Sequence, residues 1–293
     1  MKLSSNFFVF HNVFGLKESI DIFANAGFEA IDFNLDLEEY YTDAHNIDFY
    51  QEIRSCAEDR GIVFSQTHAP FHSSFLDEAK TQQRFAEIAK SFTHASYLGA
   101  DAVVVHPCRH IDYRENNQYE QMLAYNYDFY KRLIPYAETA GVKIAIENIR
   151  NCITERPEGL IDLLNALDND VFTVCFDVGH ANYYADEDPA QMILKLGHHI
   201  GYTHIHDNDG VKDLHILPYY GTVDWEKVMA SLAKVGYKGN LSYEAGNFIN
   251  KVPEALWPEG IKYSAKVGQH LIQRFYYYQK TYEGSAKKYE MAK

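Results

Sequence analysis

The feature that most constrains this chain is an alternation of short apolar segments with longer amphipathic segments, repeated eight times along 293 residues. The apolar segments have the length of buried strands, and several amphipathic segments end at a glycine, as helices do. The predicted strands are Leu3–Phe10, Phe28–Asn34, Ile62–Thr67, Ala102–Val105, Val142–Ile146, Val171–Phe176, Ile200–Ile205 and Asn240–Tyr243. The predicted helices are Gly15–Ala26, Ile47–Arg60, Thr81–Leu98, Asn117–Ala140, Leu160–Leu167, Pro189–Leu196, Asp224–Val235 and a last helix that begins near Glu254 or Ile261 and ends at Tyr282.

Strands that alternate with helices are typical of a parallel sheet that is covered on both faces. Eight such units are the number that a closed barrel needs. We therefore predict an α/β protein built as a single-domain (β/α)8 TIM barrel over residues 1–283, followed by a polar C-terminal tail over residues 284–293. A doubly wound open sheet is the alternative.

The charge of the chain argues against a nucleic-acid partner. There are 27 Lys and Arg residues against 41 Asp and Glu residues, a formal net charge of −14, so no general attraction to phosphate backbones is expected. No apolar run approaches the ~20 residues of a membrane span, and the N-terminal segment is typical of a strand and not of a signal peptide. Four widely spaced cysteines indicate reduced thiols in a cytoplasmic protein: Cys56, Cys108, Cys152 and Cys175.

Polar side chains stand at the carboxyl ends of six successive predicted strands. They are His68, His106, Glu147, Asp177, His204 and Glu244. In a barrel these ends form one ring on the face where active sites lie. Imidazoles and carboxylates are costly to bury together unless a cation binds them, and they are the ligands of first-row divalent metals. The pattern therefore predicts a divalent-metal site, for Zn or Mn.

Taken singly, members of this ring have simpler explanations. His106 lies directly before a proline and His68 lies two residues before one, and either could be an ordinary histidine at a strand end. Glu147 could pair with the Arg150 side chain instead of a metal ion. The metal-site prediction therefore depends on the six positions together, because independent placement of six such residues at six consecutive strand ends is improbable.

Two further histidines, His180 and His206, join the predicted pocket. His204 and His206 point to the same side of their strand, because successive strand side chains alternate. Spacing does not decide between them; we favour His204 as the metal ligand, with His206 lining the pocket. Asp177 and His180 are expected to share a tight turn in which Gly179 lets the backbone fold so that both side chains reach one centre.

These residues carry a family resemblance that spans nearly the whole chain, from the His68 strand to Glu244. The chain resembles the xylose isomerase-like TIM barrels, a superfamily that groups sugar isomerases and epimerases with the type IV apurinic endonucleases. The motifs that carry the resemblance are Ile146–Asn148, Phe176–His180, His204–Asp209 with Asp213 and His215, and Gly221–Trp225.

The epimerase branch implies four ligands, which here are Glu147, Asp177, His204 or His206, and Glu244. It implies one divalent ion and a small sugar or sugar-phosphate substrate, isomerised or epimerised by proton transfer through an enediolate. Glu147 and Glu244 would move the protons, and His180 or His206 would orient a substrate hydroxyl. Phe8 and Phe33 are expected to wall the pocket, although such aromatic residues are more often core.

The endonuclease branch implies up to three zinc ions and phosphoester hydrolysis. His68 and His106 would join Glu147 on one ion, and His180, Asp213 and His215 would hold another. Against this, the Asp-x-Gly-His and Gly-x-Val-Asp-Trp motifs resemble the sugar isomerase members more closely. A metal-binding barrel without catalysis is a third alternative, disfavoured because both carboxylates, Glu147 and Glu244, are present.

Two questions about partners stay open at this stage. Four cations can be placed near the predicted catalytic face, and convergence of more than one of them would favour a phosphorylated substrate. They are Arg109, Arg150, Lys212 and Lys251. The Tyr276–Tyr278 run on the last helix could form the interface of a homo-oligomer, or could pack on the barrel.

Overall fold

A computed structural model describes residues 1–6, 13–41, 44–109, 118–184 and 187–291 of the chain. Its strands are β1 (Leu3–Ser5), β2 (Ala30–Asn34), β3 (Val63–His68), β4 (Ala102–Val105), β5 (Lys143–Glu147), β6 (Phe172–Asp177), β7 (Ile200–His204) and β8 (Leu241–Tyr243). From β1 to β7 each strand pairs in parallel with the next in chain order, and β1 also pairs in parallel with β8. A parallel bridge between Ile205 and Tyr243 brings β7 to β8. The chain is therefore a single-domain (β/α)8 TIM barrel, as predicted, and not an open sheet.

Helices follow the strands on the outside of the barrel. They are α1 (Leu16–Ala26), α2 (Glu38–Tyr41), α3 (Ile47–Glu58), α4 (Glu78–Leu98), α5 (Tyr119–Ala140), α6 (Pro157–Leu167), α7 (Val178–Tyr184), α8 (Pro189–Leu196), α9 (Trp225–Lys234), α10 (Gly246–Ile249) and α11 (Trp257–Met291), with 3-10 turns at Ile153–Glu155, Gly197–His199 and Glu254–Leu256. The backbone of α11 continues past Tyr282, where the last helix was predicted to end, and the limits of barrel and tail stay a prediction.

Local signals account for the ends of these helices. The Asp77 side chain accepts hydrogen bonds from two backbone N–H groups in the first turn of α4, and Asn46 does the same once for α3. Gly27, Gly99 and Gly141 end α1, α4 and α5 in the left-handed conformation that a side chain disfavours. The predicted glycine stops at these three positions are confirmed.

Side chains on the two faces of the strands differ in size. On β5, Ile144 and Ile146 belong to the large core between strands and helices, whereas Ala145 belongs to a small cluster with Ala102, Val104 and Cys175. Because strand side chains alternate, Glu147 follows Ala145 on the same face, just as Asp177 follows Cys175. The inward columns of the strands therefore deliver polar groups at the carboxyl-terminal mouth of the barrel.

All four cysteines are buried and free, and burial raises the pKa of the Cys152 thiol to about 11. Within the described ranges, none of the helices combines the length and the apolar character that crossing a membrane requires.

Candidate metal centre

The nine predicted ligands and His206 lie at the barrel mouth in three clusters, and within each cluster the ligand atoms lie within 4.8 Å of one another. Glu147 belongs to two of them. The clusters are His68 with His106 and Glu147; Glu147 with Asp177, His204 and Glu244; and His180 with His206, Asp213 and His215.

In the first cluster three atoms converge at the ends of β3, β4 and β5. His68 Nε2 lies 3.1 Å from His106 Nε2, and Glu147 Oε2 lies 2.9 Å from His106 Nε2 and 3.4 Å from His68 Nε2. Ligands at the ~2.0–2.1 Å bond lengths of a tetrahedral zinc ion would be roughly 3.3 Å apart, so these separations fit one ion. His68 Nδ1–H donates to the Ala69 carbonyl at 2.8 Å, because a carbonyl only accepts, and this leaves Nε2 free to be a ligand.

The second cluster joins the ends of β5 to β8. His204 Nδ1 lies 3.2 Å from Glu147 Oε1, 3.6 Å from Glu244 Oε2 and 3.8 Å from Asp177 Oδ2. Asn148 fixes Asp177 from the neighbouring strand: its side chain accepts from the Asp177 N–H at 2.7 Å and donates to the Asp177 carbonyl at 2.8 Å. The backbone position of this ligand is therefore set by two hydrogen bonds.

Asp32 on β2 is a residue that the sequence analysis missed. Its Oδ2 lies 3.0 Å from His204 Nε2 and also accepts from Gln66 Nε2 at 2.8 Å; Asp32 and His204 are both buried. Because a carboxylate accepts, His204 Nε2 carries a proton toward Asp32. Nδ1, which faces Glu147 Oε1, is then the nitrogen that would bind a cation of the cluster once any proton there is displaced. A signal was available, since Asp32 is an acidic residue inside an apolar strand and lies on the inward face two residues before Asn34.

The third cluster draws on β6, β7 and the loop after β7. Nδ1–H of His180 donates to the Asn148 carbonyl at 3.0 Å, and Nδ1–H of His215 donates to the Glu244 carbonyl at 2.9 Å. Their Nε2 atoms lie 3.4 and 3.2 Å from Asp213 Oδ2. Both imidazoles therefore turn Nε2 toward the same carboxylate.

His206 lies between the second and third clusters. Its Nε2 is 3.1 Å from Asp177 Oδ1 and 3.7 Å from Asp213 Oδ1, and its ring stacks on His215 with centroids 4.0 Å apart. His204 groups with Glu147 and Glu244, as we favoured, and His206 groups with the third cluster instead of only lining the pocket.

The segment after β6 differs from the predicted turn. Val178–Tyr184 is helical, and Asp177 Oδ1 accepts the His180 N–H at 2.7 Å at the start of this helix. Gly179 is needed for space and not for backbone freedom, because a Cβ there would lie 1.9 Å from His206 Cε1. The prediction of a glycine-dependent turn was wrong: a helix brings Asp177 and His180 together through its first turn.

Asp207 organises the loop that carries Asp213 and His215. Its carboxylate accepts from Trp225 Nε1 at 2.8 Å and from the backbone N–H groups of Tyr219 and Val223 at 3.0 and 3.2 Å. This contact explains the Gly-x-Val-Asp-Trp motif, since the motif's Trp225 binds the acidic residue that follows His206. Not every aspartate of this stretch is therefore a candidate ligand.

The buried polar atoms of the clusters fit a cation. Glu147 Oε2, Asp177 Oδ2 and both ring nitrogens of His206 are buried and make no well-aligned hydrogen bond in the part of the chain that the structure describes. Their short contacts, such as Glu147 Oε2 with His106 Nε2, are to other members of the clusters. Leaving such atoms unsatisfied is costly, and their donor types are those of a borderline divalent metal. These residues therefore fit a divalent ion in chemistry and in spacing.

Protonation of the histidines follows the same charges. Burial by itself lowers the pKa of His68, but Glu147 raises it to about 9. Burial lowers the pKa of His106 to about 4, so this ring is neutral at neutral pH. Burial opposes the shift at His215 too, yet Asp213 and Glu244 raise its pKa to about 9. A proton on His68 and a divalent cation are alternative ways to balance the Glu147 charge.

A cavity of about 220 Å³ adjoins the clusters. It is lined by Asn6, Asn34, Asp36, His68, Phe71, His215, Glu244, Gly246 and Asn247. None of the four predicted cations lines it: Arg109 binds His72, Arg150 lies over the Tyr183 ring, and Lys212 and Lys251 are exposed.

Of the two aromatic residues predicted to line the pocket, Phe8 and Phe33, the structure describes Phe33. Phe33 packs in the core against Tyr40 and Phe64, with ring centroids 5.0 and 5.6 Å apart, so its predicted place at the pocket was wrong. Phe8 lies outside the described residues. Phe71, which was not predicted, lies beside the metal clusters with its ring stacked on His106 at 5.2 Å.

Comparison with known proteins places these features in a family. A family model described as xylose isomerase-like TIM barrel matches residues 20–267. An uncharacterized protein of Methanocaldococcus jannaschii, MJ1311, is 31% identical over 224 residues, which are 73% of each chain.

Solved structures share the fold. A D-tagatose 3-epimerase-like protein is 24% identical with a TM-score of 0.70, and covers 93% of this chain and 100% of its own. The IOLI protein, solved with a bound zinc atom, is 19% identical with a TM-score of 0.73, and covers 95% of this chain and 99% of its own. At these identities the likeness is one of fold.

Proposed function

Because this chain belongs to the xylose isomerase-like TIM barrel family, we propose that it is a divalent-metal-dependent isomerase or epimerase of a small sugar. The observation that carries the proposal is the cluster of Glu147, Asp177, His204 and Glu244. Of its four members, only Glu244 also lines the 220 Å³ cavity. The cavity is smaller than the ~300 Å³ at which pockets for drug-sized ligands begin, which suits a small substrate.

The residues of the chain divide the work of such a reaction. Glu244 reaches the cavity, so we assign it the removal of a proton from a substrate carbon. Glu147 belongs to the same cluster and is assigned the return of a proton. A divalent ion held by the cluster would supply electrostatic stabilisation of the negative charge that develops on the substrate oxygens. His180 and His206, in the adjoining cluster, are assigned the orientation of a hydroxyl.

Solvent exchange tests this function directly. Protein loaded with Zn or Mn is incubated in D₂O with ketoses such as D-tagatose and D-fructose, and NMR follows deuterium at the carbon atoms next to the carbonyl. We expect exchange with at least one sugar, and we expect Glu244→Gln to abolish it. Absence of exchange from every sugar, with the metal bound, would falsify the proposal.

A multi-zinc phosphoester hydrolase is the second candidate. The observation that favours it is the presence of three donor clusters, two of which share Glu147, since paired cations commonly bind phosphate esters. Elemental analysis of protein purified without added metal or chelator distinguishes the two. About three zinc ions per chain, together with cleavage of an abasic-site oligonucleotide or a small phosphodiester, would move the hydrolase ahead; about one exchangeable ion supports the isomerase.

A further inference from the structure

One side of the cavity carries polar groups that the metal clusters do not use. Asn6 follows β1, Asn34 ends β2 and Asp36 lies two residues further on; all three line the cavity. Resting on the proposed function, we propose that Asn34 and Asp36 form a subsite for the hydroxyl groups of the sugar, and that the substrate is therefore unphosphorylated.

The first argument comes from unsatisfied acceptors. Asn34 Oδ1 and Asp36 Oδ1 are buried and have no hydrogen-bond partner among residues 1–6, 13–41, 44–109, 118–184 and 187–291. An amide oxygen and a carboxylate oxygen accept hydrogen bonds and do not donate them. Buried acceptors that border a cavity are matched by a ligand with O–H donors, and neighbouring sugar hydroxyls supply two.

The second argument separates hydroxyls from phosphate. A phosphate monoester at neutral pH offers only acceptor oxygens and nearly two negative charges. It would face the acceptors of Asn34 and Asp36, and neither Lys nor Arg is among the described residues that line the cavity. The two imidazoles of the lining, His68 and His215, belong to the metal-ligand clusters, so the side formed by Asn34 and Asp36 carries a carboxylate and no basic group among the described residues. A free hydroxyl end fits this side, whereas a phosphorylated end does not.

The third argument is position. The cavity lining joins Asn34 and Asp36 to Glu244 and His215 of the metal clusters. One small molecule can therefore present its carbonyl end to Glu244 and its hydroxyl end to Asn34 and Asp36. The subsite would select the length and configuration of the hydroxyl-bearing end, while Glu244 acts on the carbon next to the carbonyl.

The test compares a sugar with its phosphate on the metal-loaded full chain. Titration calorimetry measures binding of D-tagatose and D-tagatose 6-phosphate, and of D-fructose and D-fructose 6-phosphate, to wild type, Asn34→Ala, Asp36→Ala and Asp36→Asn. Asp101→Asn, an exposed aspartate at the opposite end of the barrel, is the control. Elemental analysis and melting curves accompany every variant.

We expect Asn34→Ala and Asp36→Ala to weaken binding of the free sugar about tenfold each. Asp36→Asn, which keeps one acceptor, should lose less; metal content and the control should match wild type. We also expect the phosphates to bind at least tenfold more weakly than the free sugars. Alanine variants that bind the free sugar as wild type does, a phosphate that binds as tightly as its free sugar, or no binding of any of the four compounds would overturn the subsite.

The proposed function and the subsite fail separately. Carbon-bound proton exchange with unchanged KM in Asn34→Ala and Asp36→Ala would sink the subsite and leave the isomerase standing. Selective binding of free sugars, lost in these variants, without proton exchange would sink the isomerase and leave the subsite.

Discussion

The two sides of the barrel mouth use the same backbone geometry for different chemistry. The ends of β3 to β8 present imidazoles and carboxylates whose lone pairs converge within 4.8 Å, an arrangement suited to cations. The ends of β1 and β2 present Asn6, Asn34 and Asp36 to the cavity. Among the described residues, Oδ1 of Asn34 and Oδ1 of Asp36 are buried without a hydrogen-bond partner, an arrangement suited to hydroxyl donors. The difference teaches that strand ends supply positions, and that the side chains there decide which ligand is bound.

The largest effect is expected at Glu147, the carboxylate that two clusters share. Glu147→Gln keeps the shape but removes the charge, so we expect sugar turnover to fall by about 10³-fold and ions to be lost from both clusters. Elemental analysis with a kinetic assay checks this. Retention of both activity and metal would mean that the Glu147 carboxylate is not a metal ligand and only makes hydrogen bonds.

Asp32 on β2 tests whether a residue on one side of the barrel mouth positions His204, a predicted metal ligand, on the other side. Asp32→Asn removes the carboxylate that holds the Nε2 proton of His204, and we expect metal affinity to fall about 10–100-fold. Chelator competition measures the affinity, and ¹⁵N NMR of the metal-loaded protein reports whether His204 Nε2 carries a proton.

Ser242→Ala is the matched control for Asp32. It removes a 3.4 Å hydrogen bond to the same Asp32 oxygen and a 3.4 Å hydrogen bond to Ser4 Oγ, and leaves the Asp32 carboxylate in place. Unchanged affinity and an unchanged His204 tautomer in Asp32→Asn would refute the positioning role.

Gly179 tests the third cluster by crowding. The Cβ of Gly179→Ala would lie 1.9 Å from His206 Cε1, so the buried ring must move. We expect a loss of about 1–3 kcal/mol in the free energy of unfolding and weaker metal binding in this cluster alone. Denaturant unfolding and metal counting check it. Gly284→Ala, at a position where a Cβ meets no atom within 4 Å, is the control, and equal stability of the two variants would contradict the packing.

Acidification is expected to weaken metal binding by the three clusters more than hydrogen bonding at Asn34 and Asp36. Protons and metal compete for the same imidazole lone pairs, and the pKa of His68 and of His215 is raised to about 9 in the metal-free protein. Metal affinity should therefore rise with pH up to about 9, by about tenfold per unit for each proton displaced. His106 adds nothing in this range, because burial lowers its pKa to about 4. Calorimetry in buffers of different ionisation enthalpy counts the protons; none released between pH 6 and 9 would contradict this.

The smallest effect is expected at the exposed lysines. Lys212 and Lys251 lie outside the cavity lining, so their alanine variants should change kcat/KM less than about twofold. A larger loss, confined to phosphorylated substrates, would instead place a lysine near Asn34 and Asp36 and contradict the difference between the two sides of the barrel mouth.

Much of the fold and the site was predictable, for local reasons. Alternating apolar and amphipathic segments predicted the barrel, and strand ends predicted the ring from His68 to Glu244, because both depend on patterns within a few residues. Asp32 was missed because its partner His204 is 172 residues away, and nothing local shows that β2 faces β7 across the barrel. Phe33 was misplaced because its alternation along β2 points it to the core.

The sequence by itself determined the kinds of ligand, their places at strand ends, and the acidic character that disfavours phosphate backbones. Only the tertiary structure decided that His204 joins Glu147 while His206 joins Asp213, that Gly179 leaves room for a ring, and that no predicted cation reaches the cavity. The physical reason is that some of these properties depend on neighbouring residues and others on residues far apart in the chain. Side-chain direction along one strand is a local property, whereas the distance between atoms on different strands depends on barrel closure and on the path of the loop that Asp207 holds.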